Sequence, residues 1–531
     1  MYTKLCWVLA ATLLSGSCLA QWQGFQPVSA IDSGLKDAGF SLDFRFVTHL
    51  HVGGAAAGDV NGNGHVDLVL VRGERSPRLY LNTGDGSFTD GTLPSGLDGI
   101  EGIVNGALLA DVTGNGALDL LLGGVREDSN PEAELTPIRI FFNDGEGSFS
   151  EATQSSQVSS ELDAHSMALA DIDGSGHLDL AIAYWMPDGG STVGHLWRNL
   201  GQGQFEDISH SSGVGQFYAD NLHNFTPNFV DLTGNGWPDL VMAADFGHSR
   251  VFINQANGSF TDATGAVISD ENGMGATIGD FDNDRRLDWF VTSIWAEKPS
   301  PDYGTTGNRL YRSLADGNFT DITAQAGIAN GGWGWGACAA DFNNDGWLDL
   351  FMVNGYQSHA PTFLNQPARL WMNNGNGSFS ELAIDSGIVS TGQGRAVVCF
   401  DSNNNGQIDI LVQNSHNLSG ASELPQLFRN LGHPGHNWVR IQLRQPGPNR
   451  LGVGARLELH TNDTIQVREI RAGNNFLSAN PIEAHFGLGS ADRIDKLTIR
   501  WPHGPVDVHH DLTINQVHTL VQKGLFHDRF E

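Results

Sequence analysis

One nine-residue pattern that opens and closes on aspartate occurs seven times, and it limits the possible folds more than any other feature. It spans Asp59–Asp67, Asp111–Asp119, Asp171–Asp179, Asp231–Asp239, Asp280–Asp288, Asp341–Asp349 and Asp401–Asp409. Successive first aspartates lie 52, 60, 60, 49, 61 and 60 residues apart. Repetition on this scale marks an architecture of stacked units, each burying its apolar faces against its neighbours.

The pattern has the chemistry of a calcium loop. Ca²⁺ takes six to eight oxygens at roughly 2.3–2.6 Å. Position 1 offers the carboxylates of Asp59, Asp111, Asp171, Asp231, Asp280, Asp341 and Asp401. Position 3 offers oxygens from Asn61, Thr113, Asp173, Thr233, Asp282, Asn343 and Asn403, and position 5 from Asn63, Asn115, Ser175, Asn235, Asp284, Asp345 and Asn405. Position 7 can give a main-chain carbonyl, at His65, Ala117, His177, Trp237, Arg286, Trp347 and Gln407. Position 9 closes with Asp67, Asp119, Asp179, Asp239, Asp288, Asp349 and Asp409. The spacing is like the start of an EF-hand loop, but the flanks read as strands. Up to seven calcium ions are expected. Six loops carry glycine at position 6, where a positive φ would wrap the chain around an ion; the fifth has Arg285. Loop five also has the most carboxylates, while loops two and four have two each, so loop five is expected to bind most tightly.

Short apolar runs flank each loop. In the second repeat, strands are expected at Gly106–Ala110, Leu118–Leu122, Ile138–Phe142 and Ser148–Thr153, the last entered through the Gly-rich turn Asn143–Gly147. Four strands per repeat, seven times, predict an all-β, seven-bladed β-propeller over residues 21–435. The seventh repeat lacks a fourth strand. The segment Phe25–Gly34 is similar to Phe379–Gly387 in repeat six and is expected to complete the last blade, leaving no open edge. Beyond residue 435 the loops stop, yet strand-like runs continue at Trp438–Leu443, Ala455–His460, Ile465–Ile470, Lys496–Trp501 and Gln516–Val521. Residues 436–524 therefore read as a separate, small, β-sandwich-like domain.

Sixty Asp and Glu against 29 Lys and Arg give a net charge of -31, which argues against nucleic acid as a partner. No apolar run reaches the length of a membrane helix. Residues 1–20 have a charged Lys4, an apolar Leu5–Leu14 and a small Ala20, the layout of an export signal. A secreted, periplasmic or surface location follows; lipidation at Cys18 is the weaker alternative. Cys338 and Cys399 remain in the mature chain and read as separate buried thiols rather than a bridge.

The loops with their Asn-x-Gly-x-Gly-x-Phe turns resemble FG-GAP/VCBS repeats. Gly452–Arg456, Val467–Gly473, His485–Gly489 and Arg500–Gly504 resemble the ASPIC/UnbV domain. Together they resemble the cartilage acidic protein-like (ASPIC/UnbV) proteins. The resemblance implies a secreted, calcium-binding propeller and no defined activity.

Variable connections opposite the loops hold Trp185, Trp295, Tyr303, Tyr356, His359 and His416, a rim suited to an extracellular protein or glycan. A binding or adhesion module is the expected function. The alternative is an exported enzyme or biosynthetic-pathway protein using His165, His223, Asp245 and His248 at the channel mouth. Trp333 and Trp335 read as packing near the axis.

Overall fold

Each repeat places buried apolar runs on both sides of a polar loop, so it can bury itself only as a short antiparallel sheet. The computed structural model describes residues 22–36, 38–39, 51–126, 135–159, 162–186, 190–220, 222–298, 304–315, 317–356, 363–415, 424–462 and 464–523. Among these are seven four-stranded antiparallel units. The second is formed by Ile103–Ala110, Asp119–Val125, Arg139–Asn143 and Phe149–Glu151, paired in that order. The loop joins its first and second strands, and the closing aspartate is itself the first residue of the second.

The first strands are Ala55–Gly58, Ile103–Ala110, Ala164–Ala170, Leu222–Val230, Ala276–Gly279, Gly334–Ala340 and Gly394–Phe400. Each packs on the next, and the last returns to the first, so the units close a ring. This is a β-propeller. Phe25–Val28 runs antiparallel to Gln426–Asn430, with Phe25 opposite Asn430. The seventh sheet is thus built from both ends of the ring, as the sequence similarity suggested. Phe25 is buried edge-on against Phe342.

After residue 435 come two sheets. One joins Ala484–Gly489, Asn437–Arg444 and Gln516–Val521; the other joins Thr464–Glu469, Arg456–Thr461, Lys496–Arg500 and Val506–His509. Ala484–Gly489 and Val506–His509 were not expected as strands, because one is rich in glycine and the other is four residues long. Between the two sheets the chain does something the sequence reading missed: Arg471–Asn480 leaves the module and enters the axis of the ring. Ser478–Ala479 pairs in parallel with Ala55–Ala56. The Leu477 carbonyl accepts the Ala55 and Ala107 N–H groups at 3.3 and 3.1 Å, and the Ala472 carbonyl accepts that of Leu169 at 2.8 Å. Phe476 is fully buried, 5.6 Å from the Phe225 ring and 5.4 Å from that of Trp335. Gly54 makes room for the insertion, since a Cβ there would lie 2.8 Å from the Leu477 carbonyl oxygen.

The expectation of two separate thiols is corrected. Cys338 and Cys399 form a disulfide. They sit on the innermost strands of units six and seven, where the ring brings their Cα atoms to 6.4 Å. Adjacent inner strands are closest near the axis, a proximity the linear spacing does not reveal.

Candidate metal loops and the surfaces around them

All seven loops share one hydrogen-bond frame. An oxygen of the position-1 carboxylate accepts the N–H of position 6, from Gly64 to Asp59 through Gly406 to Asp401, at 2.7–2.9 Å. The position-5 side-chain oxygen accepts the N–H of position 7. The position-9 carboxylate is fully buried and held from two sides. One oxygen takes the N–H of position 2, as from Val60 to Asp67 at 3.0 Å. The other takes the N–H of the residue at or near the end of the third strand, as from Asn82 at 2.8 Å. Position 6 has positive φ throughout, including +72° at Arg285. Position 4 does too, and there the sequence uses glycine in the first four loops and asparagine in the last three. That alternation was a readable signal that the sequence analysis did not use.

This third-strand residue, the last of its strand in six units and two residues short of the end in unit three, has a second role. The Nδ2 of Asn199 donates to the Leu178 carbonyl of its own loop and to the Val112 carbonyl of the preceding one, at 3.1 and 2.9 Å. Asn82, Asn143, Asn254, Asn373 and Asn430 repeat this, and Asn82 reaches Ser402 across the closure. Each asparagine clips one loop to the next. In unit five the position is Ser313, whose buried hydroxyl has no hydrogen-bond partner. In the sequence these asparagines mark only the entry to a turn.

The donor set fits a hard cation. In loop three, one oxygen from each of Asp171, Asp173 and Asp179 lies within 4.8 Å of the others, and Asp280, Asp282 and Asp288 do the same in loop five. Asp171 Oδ1, Thr233 Oγ1 and Asn403 Oδ1 are ligand-position oxygens that are buried with no hydrogen-bond partner. Burial pushes the carboxyl groups of Asp67, Asp239, Asp280 and Asp409 up to about 7 and that of Asp119 to about 6. Asp179, Asp288, Asp341 and Asp349 are raised well above the usual range, again chiefly by burial. Such groups ionise readily only beside a positive charge.

Protein cations supply part of that charge. In loop five Arg312 meets Asp282 and Asp284 at 2.6 and 2.8 Å, and Arg286 also pairs with Asp284. Arg198 meets Asp173 at 2.9 Å. The buried Arg440 of the C-terminal sheets bridges Asp401 and Glu483, each at 2.9 Å. Arg285 lines a groove together with Glu458 of the C-terminal sheets. The charges bearing on Asp280 are those of Asp284, Arg468 and Asp282, whereas Arg285 bears on Glu458 of the C-terminal sheets.

The opposite end is less open than expected. Trp185 and Tyr356 are buried, and Trp295 is half-buried. Tyr303, His359 and His416 lie outside the described residues, as do residues 1–20, where an export signal is expected. Trp335 is buried and Trp333 stacks on Tyr356 at 3.9 Å. His165 is buried beside His51 and Phe225, His223 stacks on His248 at 5.6 Å, and Asp245 accepts the Trp185 indole N–H at 3.0 Å. Among the described residues, the metal-competent groups of three or more His, Cys, Asp or Glu are those of loops three and five, and this set is not one of them.

Fold, repeats and loops define the class: an FG-GAP-repeat β-propeller carrying an ASPIC/UnbV domain. The FG-GAP-like repeat family matches residues 59–122, 171–242, 231–291 and 294–352, and the ASPIC and UnbV family matches 445–525, so the chain belongs with proteins that combine the two. Its relatives include cartilage acidic protein 1 of Mus musculus, 27% identical over 365 residues, or 65% of this chain and 53% of that protein. The Xenopus tropicalis protein of the same name is 23% identical over 494 residues, 85% of this chain and 70% of that protein. The chain thus spans about half the length of the mouse relative. Among solved structures, an Agrocybe aegerita lectin described as recognising non-reducing terminal N-acetylglucosamine aligns with a TM-score of 0.39 and 19% identity. That alignment covers 62% of this chain and 79% of the lectin.

Proposed function

We propose that this protein is an exported, calcium-stabilised propeller that acts as a binding or adhesion module for an extracellular protein or glycan. The observation that carries the calcium reading is the recurrence of one oxygen-only loop seven times, with buried ligand oxygens left unpartnered at Asp171, Thr233 and Asn403. Positions 1, 3, 5 and 9 would supply side-chain oxygens and position 7 a carbonyl. The bound ion would offset the carboxylate charge that burial otherwise disfavours. Loop five, with four carboxylates, would hold its ion most tightly, and loops two and four, with two each, would release theirs first. Calcium titration of Asp111→Ala, Asp231→Ala and Asp280→Ala, with metal content measured directly, tests the order. It fails if the Asp280 variant keeps the tightest binding step.

The binding reading is supported by a rigid ring whose axis is filled by the chain's own Arg471–Asn480, leaving the rims as the surfaces on offer. A screen against glycans and secreted proteins, run with calcium and with chelator, tests it. Absence of any ligand in either condition overturns it.

A further inference from the structure

Where metal loops four and five meet the C-terminal sheets there is a groove of about 800 Å³. Its lining includes Trp237, Arg285, Arg456, Arg500 and His503. Two local costs converge there. Arg285 occupies a φ of +72°, where the six equivalent loops place glycine. A non-glycine residue is strained there, because its Cβ crowds the following carbonyl. Its main-chain N–H holds Asp280 as glycine's does elsewhere, so the side chain adds nothing to the loop's frame. The second cost is that Arg456 and Arg500 stand directly opposite one another on paired antiparallel strands. Like charges in that relation repel. An Arg456 guanidinium nitrogen donates to the Arg285 carbonyl, which joins the two features.

The acids of the groove are already engaged. Glu458 bonds His460 at 2.7 Å, Asp284 bonds Arg312 at 2.8 Å, and Asp231 holds the N–H groups of Asn235 and Gly236. Among the described residues Arg285, Arg456 and Arg500 make no salt bridge. Arg285 bears on Glu458, and Arg456 on Asp231 and Glu469, but at longer range than a salt bridge; in a chain with twice as many acids as bases, three arginines outside any close ion pair at one place need a reason. Strained or repulsive features persist where function maintains them.

We propose that this groove binds an acidic saccharide, one bearing uronate carboxylates or sulfate esters. The proposal rests on the binding-module reading and gives that module a place and a ligand class. Guanidinium forks match the paired oxygens of carboxylate and sulfate. Trp237 and His503, with ring centres 4.1 Å apart, form an aromatic wall. Main chain is open to the groove at Gly234 and Gly236, where nothing lies within 4 Å of a projected Cβ. Forked cations beside exposed main chain suit a ligand with acid groups and hydroxyls on one ring.

The test uses the full chain in calcium, with calorimetric titration of an oligogalacturonate, a sulfated heparin-type oligosaccharide, a neutral maltooligosaccharide and a polyglutamate peptide. An acidic saccharide is expected to bind and the neutral one not. Arg285→Gly and Arg500→Ala should each weaken binding by about tenfold or more, the loss expected of a removed charge-assisted fork. Arg285→Gly should keep the wild-type calcium content and melt at the same or a higher temperature. Equal binding by wild type and both variants overturns the groove while leaving the binding-module reading in place. Preference for polyglutamate overturns the saccharide class. No acidic saccharide binding, with a ligand found in the wider screen, also overturns the groove alone.

Discussion

The asparagine at or near the end of the third strand is the residue whose role changed most between sequence and structure. Its side chain satisfies two buried carbonyls, one in each of two adjacent units, so losing it leaves acceptors with no water to replace the donor. Asn199→Ala should destabilise the protein by about 1–3 kcal/mol, read as a lower denaturation midpoint. Ser313→Asn should do the reverse and supply the clip missing in unit five, a gain of about 0.5–1.5 kcal/mol. A neutral or destabilising Ser313→Asn would mean that the space between units four and five cannot accept the amide. Position 6 makes the complementary point. Glycine in six loops disclosed the positive φ from sequence alone, but where the Arg285 side chain points was decided by the C-terminal sheets lying above it.

Two short elements hold the ring together, and only one was legible. Phe25–Val28 could be matched to the fourth strand of repeat six by similarity, and it closes the seventh sheet as that match required. Deleting residues 21–35 should expose the edge of Gln426–Asn430 and cause aggregation; a soluble deletion with native stability would show that the strand is dispensable. The axial segment Arg471–Asn480 had no such signal, because its partners come from several units and none is near in sequence. It spends its backbone hydrogen bonds on the inner strands of units one, two and three, and its apolar side chain on Phe225 and Trp335. Phe476→Ala should cost about 3–5 kcal/mol, measured by chemical denaturation. Amide exchange should quicken along the inner strands as well as in the C-terminal sheets. Exchange confined to the C-terminal sheets would show that the plug does not support the ring.

At the scale of the molecule, charge sets the behaviour. Seven divalent ions would take the formal charge from -31 to -17. Asp67, Asp239, Asp280 and Asp409 have folded-state values raised from 3.8 to about 7 by burial. The metal-free fold therefore binds more protons than the unfolded chain between these limits. In chelator its stability should fall as pH rises from about 4 to 7. With calcium the carboxylates are held ionised, so protons compete with the ion and stability should instead be lost as pH falls. The gap between melting temperatures in calcium and in chelator should widen with pH; a constant gap, or none, would count against metal-stabilised folding. The sequence by itself determined the repeat, the acidic loop pattern, the strand order within each unit and the strand that closes the ring. These follow from local periodicity and turn chemistry, which act over a few residues. Only the tertiary structure decided the Cys338–Cys399 bridge, the asparagine clips, the axial plug and the arginine groove. Each joins residues from different units or from opposite ends of the chain, and closing the ring is what brings them within reach.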